Sequence, residues 1–230
     1  MTYTINLDEV DVDGAIAESA DAVSGDTRLS FLKKAGVAGG ALVGGGAVLS
    51  ALAPSALASG GRPPSKFGSG DIGILNYALT LEYLEAAFYN GATAANLSLS
   101  PQAAAFLQVV TKDENAHVKF LKTALGSKAA KTPKFDFKGT NTDAAMFMAT
   151  AEVLENTGVH AYLGQVTNIS HAAYVKAAGS ILTIEARHAS VIGLLNDPSG
   201  NSIAPNGPFD TPLTARAVLH AVAGTGFIVG

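Results

Sequence analysis

The chain has 230 residues, neither Cys nor Trp, 48% hydrophobic residues, 15% charged residues and a net charge of −4. Lack of Cys excludes a disulfide, a thiolate nucleophile, Cys-ligated zinc and an iron–sulfur centre. The charge is uneven: residues 1–58 hold seven acids and three bases, whereas residues 59–230 hold twelve of each. The basic face that nucleic acid requires is missing, and the clustered Lys128, Lys131, Lys134 and Lys138 fall in one Pro- and Gly-punctuated loop. A charged fraction well below the usual ~25% calls for helices with wide apolar faces.

Residues 1–27 are acidic and rich in Ser and Asp, and are expected to be disordered. Residues 28–58, "RLSFLKKAGVAGGALVGGGAVLSALAPSALA", begin with Arg28, Lys33 and Lys34, continue as a Gly/Ala/Val/Leu run and end in Ala56-Leu57-Ala58. Basic start, apolar middle and A-x-A end form the pattern of a cleaved export signal. The stretch "RLSFLKKAG" resembles the twin-arginine signal, with Leu29 where the second arginine would stand. The rival reading is a retained membrane anchor, since the apolar run from Gly36 reaches the ~20 residues that span a bilayer. Pro54 and the glycines weaken it as a permanent helix. Both readings place residues 59–230 outside the cytoplasm as the mature domain, in the periplasm, cell envelope or medium, with membrane contact only through an uncleaved signal; a cytoplasmic protein with an odd N-terminal arm is the less favoured alternative.

Four periodic segments follow "SGGRPPSKFGSG", with no alternating strand pattern between them. The first runs from about Asp71 to Asn90. The second opens at Ser100-Pro101, an N-cap with proline in first position, and ends near Gly126. The third begins in "TNTDAAMFM", capped by Thr or Asn, and runs to about Asn168. The fourth runs from about Ser170 to Asn196 and stops before Pro198. Helices 3 and 4 are joined by so few residues that they must be antiparallel neighbours. Between helices 2 and 3 lies "GSKAAKTPKFDFKGT", whose fifteen residues can reach ~50 Å, more than the ~37 Å length of a 25-residue helix. The expected fold is all-α, a four-helix bundle with one long crossover between helices 2 and 3, which is the ferritin-like arrangement. A short C-terminal helix follows, with Thr211 as cap and Pro212 in first position.

Residues 59–230 contain six glutamates, Glu82, Glu85, Glu114, Glu152, Glu155 and Glu185, and all fall mid-helix. Helix 2 carries Glu114 and His117, and helix 4 carries Glu185 and His188, each pair three residues apart and so on one helix face. Helices 1 and 3 each carry Glu-x-x-Glu, "EYLE" and "EVLE". One Glu from each of two helices and Glu-x-x-His from each of the other two is the ligand set of a dinuclear carboxylate site. The spacing repeats between halves: Glu82 to Glu114 is 32 residues and Glu155 to Glu185 is 30, and a tyrosine, Tyr89 or Tyr162, follows seven residues after Glu82 and Glu155. This predicts a pseudo-twofold axis through the site. Unpaired carboxylates in an apolar core would cost several kcal/mol each. Two divalent cations carry the charge that balances four of them beside neutral histidines.

The segments "ILNYALTLEYLEAAFY", "DENAHVKFL", "LENTGVHAYLG", "IEARHA" and "FDTPL" resemble the ferritin-like superfamily, and within it the exported, desiccation-related ferritin-like proteins. The resemblance spans about residues 70–220. It implies two iron or manganese ions held by Glu82, Glu114, His117, Glu155, Glu185 and His188, with Glu82 favoured over Glu85 and Glu155 over Glu152. Glu85 and Glu152 are then extra ligands, carboxylates that shift onto the metal, or surface residues. Related sites carry D-E-x-R-H, which makes Asp113 and Arg187 candidates for orienting the ligands. Asp113 is expected to accept from the free nitrogen of a ligand histidine. Tyr89 and Tyr162 are core aromatics or take a redox or proton role. His160, His171 and His220 fit no ligand spacing. Gly158 is expected to permit a close helix approach or a bulge. A rubredoxin-type addition is excluded by the lack of Cys.

The implied substrates are oxygen, peroxide or ferrous iron, which the ligand set does not separate, and association with further copies of the chain is an open partner class. The alternative is a non-catalytic stress- or envelope-associated bundle in which metal is structural or absent, and a storage cage is a third, weaker option.

Overall fold

The computed structural model describes residues 61–229; the acidic arm and the stretch expected to be an export signal or anchor, residues 1–58, lie outside the described residues. Four long helices make the bundle: α1 Gly70–Ala95, α2 Pro101–Leu125, α3 Ala144–Val166 and α4 Ala172–Asn196, followed by α5 Ala215–Thr225. Among the described residues there is no strand beyond one isolated bridge, Phe135 with Ile228.

Local chemistry sets the helix ends. Ser100 accepts from the Ala103 amide at 3.2 Å and Pro101 opens α2. Asp143 caps α3, accepting from Met146 at 2.9 Å, where the sequence pointed to Thr or Asn. α1 runs about a turn beyond Asn90 and stops at Asn96, whose left-handed conformation (φ 50°) ends the helix. The C-terminal helix also starts later than expected: Thr214, not Thr211, is its cap. Pro212 disfavours helical backbone in the residue before it. Leu213 instead lies extended against α3, its amide donating to His160 O at 3.2 Å and its backbone packed on Gly164, where any Cβ would collide with it.

The pairs α1–α2 and α3–α4 form the main contacts, with α2 also against α4 and α1 against α3. The start of α1 meets the end of α3, because Asp71 accepts the Ser170 and His171 amides at 2.9 Å each. The end of α1 meets the start of α3, where Asn141 reaches Phe88 O. Helices α1 and α3 are therefore antiparallel, and the α2–α3 connection must travel the length of the bundle. Asn76 anchors the beginning of that crossover, donating to Lys128 O at 3.0 Å and accepting from Ala130 N at 2.8 Å. Its far part is tied down by the C-terminal tail: Asp136 N donates to Phe227 O at 2.8 Å, and Val229 N to Lys134 O at 2.9 Å. Phe137 packs edge-on against both Phe88 and Phe227.

Covered by α2, α3, the crossover and the loop before it, α1 is buried almost all round. A helix apolar on every side belongs in a core, and Glu82 and Glu85 go inside with it, at 0% and 2% exposure.

Candidate metal centre

Glu82 on α1, Glu114 and His117 on α2, Glu155 on α3, and Glu185 and His188 on α4 converge in the middle of the bundle, all of them buried. They form two groups, Glu82–Glu114–His117–Glu185 and Glu114–Glu155–Glu185–His188, in each of which one donor atom per residue lies within 4.8 Å of the others. Glu114 and Glu185 belong to both. Glu114 divides its oxygens: Oε2 lies 3.2 Å from His117 Nδ1, and Oε1 lies 3.2 Å from His188 Nδ1. That is how one carboxylate would bridge two ions.

The distances do not describe ordinary hydrogen bonds. His117 Nδ1 has Glu82 Oε2, Glu114 Oε2 and Glu185 Oε1 at 3.2, 3.2 and 3.3 Å, and one ring nitrogen carries at most one proton. Donors about 2.1 Å from a common ion stand about 3.0 Å apart across an octahedral edge and about 3.4 Å across a tetrahedral one. The observed spacing is compatible with a ligand shell. Among the described residues, seven buried side-chain polar atoms have no hydrogen-bond partner, and six are here: Glu82 Oε2, Glu114 Oε1, Glu155 Oε2, both oxygens of Glu185, and His188 Nδ1. Buried polar atoms left unpaired are rare and costly, so a cluster of six aimed at one place is compatible with a pair of metal ions.

The surrounding groups fix which oxygen each ligand offers. The Tyr162 hydroxyl donates to Glu82 Oε1 and the Tyr89 hydroxyl to Glu155 Oε1. Each tyrosine therefore comes from the opposite half, and each terminal glutamate is left with Oε2 facing the centre. His188 Nε2 lies 3.2 Å from Asp113 Oδ2. With the proton there, the carboxylate fixes the tautomer and leaves Nδ1 free as a donor to metal.

Electrostatics reflect the crowding. Burial raises the Glu114 carboxyl and Glu82 adds to the push, to about 7 against the relief from both histidines. Burial and the Glu114 charge hold Glu185 well above the ordinary carboxylate range. Burial lowers His188, but the Glu114 and Glu155 carboxylates outweigh it and push it up to about 11, and His117 is raised by its three carboxylates in the same way. Glu82 is the exception: burial raises it, yet His117 brings it below its ordinary value. Burial, then the adjoining glutamates, drives the Tyr89 and Tyr162 hydroxyls well up.

The remaining sequence candidates separate. Glu85 is buried beside the cluster, and burial together with Glu185, Glu114, Glu155 and Glu82 holds its carboxyl well above the usual range. Glu152 points away and accepts from Asn196 Nδ2 at 2.6 Å. Arg187 lies on the surface with Nη1 on Thr183 O, and the structure does not bring it to the ligands. His160 and His171 pair with Asp210 and Asp71, each at 3.1 Å, and His220 is exposed. Gly158 corrects its expectation. α3 passes through it without a bulge, and the space beside it is filled by a carboxylate, since a Cβ there would lie 2.5 Å from Glu185 Oε2 and 3.3 Å from Glu85 Oε1. The spacing from Tyr89 and Tyr162 could have revealed this, because aligning the halves on those tyrosines sets Glu85 against Gly158.

The profile of the ferritin-like domain family matches residues 70–197, the span from the start of α1 to just past α4. The chain belongs to the ferritin-like domain family. No curated protein matches it in sequence.

Proposed function

We propose that the chain is a dinuclear metal protein of iron or manganese, acting on oxygen, peroxide or ferrous iron. The single observation that carries this reading is the pair of interlocked ligand groups sharing Glu114 and Glu185, with six partnerless buried atoms turned into them. Residues Glu82 and His117 would hold one ion, Glu155 and His188 the other, and Glu114 and Glu185 would span both. Such a pair supplies Lewis-acid and redox chemistry to a substrate bound between the ions. Hard carboxylate oxygens with imidazole suit iron and manganese alike. The chain's own residues do the positioning: Tyr89 and Tyr162 restrict Glu155 and Glu82 to one free oxygen each, and Asp113 orients His188.

A second reading, in which metal only braces the bundle, is favoured by the enclosure of the ligands, of which His117 is the most exposed at 9%. A surface cavity of about 240 Å³ beside α3 and α4 is lined by none of the six. Export, along with membership of the desiccation-related subgroup, belongs to the proposal and rests on residues 28–58 and the motifs quoted above. No helix among the described residues is long and apolar enough to cross a membrane.

The test is elemental mass spectrometry of the full chain purified with iron or manganese supplied, with Glu114→Ala alongside. Two ions per chain, lost in the variant, support the reading. A chain that folds yet carries no metal when iron or manganese is supplied refutes it. Metal at stoichiometry without oxygen or peroxide consumption selects the structural reading.

A further inference from the structure

One partnerless buried polar atom among the described residues is not in the metal centre: the hydroxyl of Tyr77. Tyr77 lines a cavity of about 20 Å³ between α1, α3 and α4, and every residue on the cavity wall is buried. Small side chains leave the space open: Ala78 of α1, Ala161 of α3 and Ala178 of α4. The cavity lies on the seam between the two apolar clusters of the bundle, taking Tyr77, Leu81 and Ala161 from one and Ala78, Tyr162 and Ala178 from the other. Two parts of its wall continue into the candidate metal centre. Leu81 precedes Glu82, and the Tyr162 hydroxyl donates to Glu82 Oε1.

The wall has little to offer a polar guest. Gln165 Nε2 donates to Gly61 O at 2.7 Å, and Gln165 Oε1 accepts from Asn168 at 3.2 Å. The Tyr162 proton is given to Glu82. The Tyr77 hydroxyl is the side-chain group left over. The space takes one small molecule, since about 10–15 Å³ suffices for a water. A buried water needs about two to four polar partners and here finds one. Hydrogen peroxide has two O–H groups to satisfy and meets the same shortage. A ferrous ion finds no carboxylate or imidazole on this wall. Dioxygen is uncharged and has no proton to place, and apolar cavities stay dry and accept apolar guests such as xenon.

We infer that the cavity between α1, α3 and α4 is a dioxygen site, which holds that substrate next to the metal centre with Tyr162 and Leu81 as the shared wall. This rests on the dinuclear reading above and narrows it: of the three substrates, dioxygen is the one with a waiting place in the core.

The experiment is xenon pressurisation of crystals of the full chain, read by anomalous scattering, with the rate of dioxygen uptake by the Fe(II)-loaded chain as a second readout. The wild type shows a xenon peak in contact with Ala78, Ala161 and Ala178. Tyr77→Phe removes the free hydroxyl and keeps the peak. Ala178→Leu fills the cavity: it loses the peak and takes up dioxygen more slowly, while hydrogen peroxide oxidises its Fe(II) at the wild-type rate. Ala178→Val intrudes less and shows the same changes in smaller degree, should overpacking keep the leucine variant from folding. The inference is overturned, and the dinuclear reading left standing, by a wild-type cavity without xenon or by an ordered water there that xenon does not displace. It is overturned equally by a filled variant whose dioxygen rate matches the wild type or falls together with its peroxide rate. A chain that shows the xenon peak but binds neither iron nor manganese overturns both.

Discussion

In the α1–α2 half, Glu82 accepts from Tyr162 and faces His117; in the α3–α4 half, Glu155 accepts from Tyr89 and faces His188. Each half takes its tyrosine from the other, so neither can form its ligand geometry alone. The correspondence ends one turn further on. Glu85 is met by Gly158 and Asp113 by Ile184, so the first half contributes two acidic groups that the second does not return. Ligands shared by both positions would be held to symmetry by the ions between them. The supporting groups are free to differ, and there the two positions can acquire different affinities.

The largest break in the comparison comes from removing a shared ligand. Glu185→Ala takes a donor from both groups at once and should abolish binding of both ions. Ligand at a thousand times its Kd stabilises a fold by about 4 kcal/mol, so metal should raise the Tm of the wild type and leave that of Glu185→Ala unmoved. The metal-free variant should be at least as stable as the metal-free wild type, because a repelled buried carboxylate is gone. Thermal unfolding with and without Mn(II) checks both statements.

The next largest effect is on pH dependence. In the metal-free fold Glu114 holds its proton up to about 7, against an ordinary value of 4.5, so its contribution is complete below about 4.5 and lost as pH rises through 7. His188, at about 11 against 6.5, contributes fully below about 6.5 and loses this as pH rises through 11. Both run the same way, and the metal-free Tm should fall steadily between pH 5 and 9. Metal displaces these protons, so apparent affinity should rise over the same range. A metal-free Tm that rises with pH would contradict the electrostatic account.

Asp113→Ala probes one half only. It should cost about 10–100-fold in affinity at the His188 position and spare the His117 position, whereas Arg187→Ala, on the surface, should change neither. A Mn(II) titration left unchanged by Asp113→Ala would remove it from the site. An effect of about the same size is expected from Tyr89→Phe and Tyr162→Phe, each losing one hydrogen bond to a carboxylate, a contribution of about 1.5–3 kcal/mol. Each should loosen the terminal glutamate it touches, read as lower affinity at one position per variant.

The helices, the crossover and the six converging residues were legible because each leaves a local mark: Ser100-Pro101 opens a helix, and Glu114 with His117 or Glu185 with His188 share one helix face. The short tail helix starts later than Thr211 and Pro212 suggest, since the extension of Thr211–Leu213 depends on docking against Gly164, a contact between residues about fifty positions apart. Glu85 and Glu152 looked equivalent because "EYLE" and "EVLE" look alike. They differ because the converging glutamate is the first of the pair in α1 and the second in α3. The spare carboxylate therefore follows it in one helix and precedes it in the other, one ending inside and one outside.

Anomalous X-ray scattering from crystals of the chain grown with Mn(II) or Fe(II) tests the central claim most directly. The account predicts two peaks in the bundle core, both touching Glu114 and Glu185, one beside His117 and one beside His188. No peak in the core, or a single ion elsewhere with the six residues turned to one another, would contradict it.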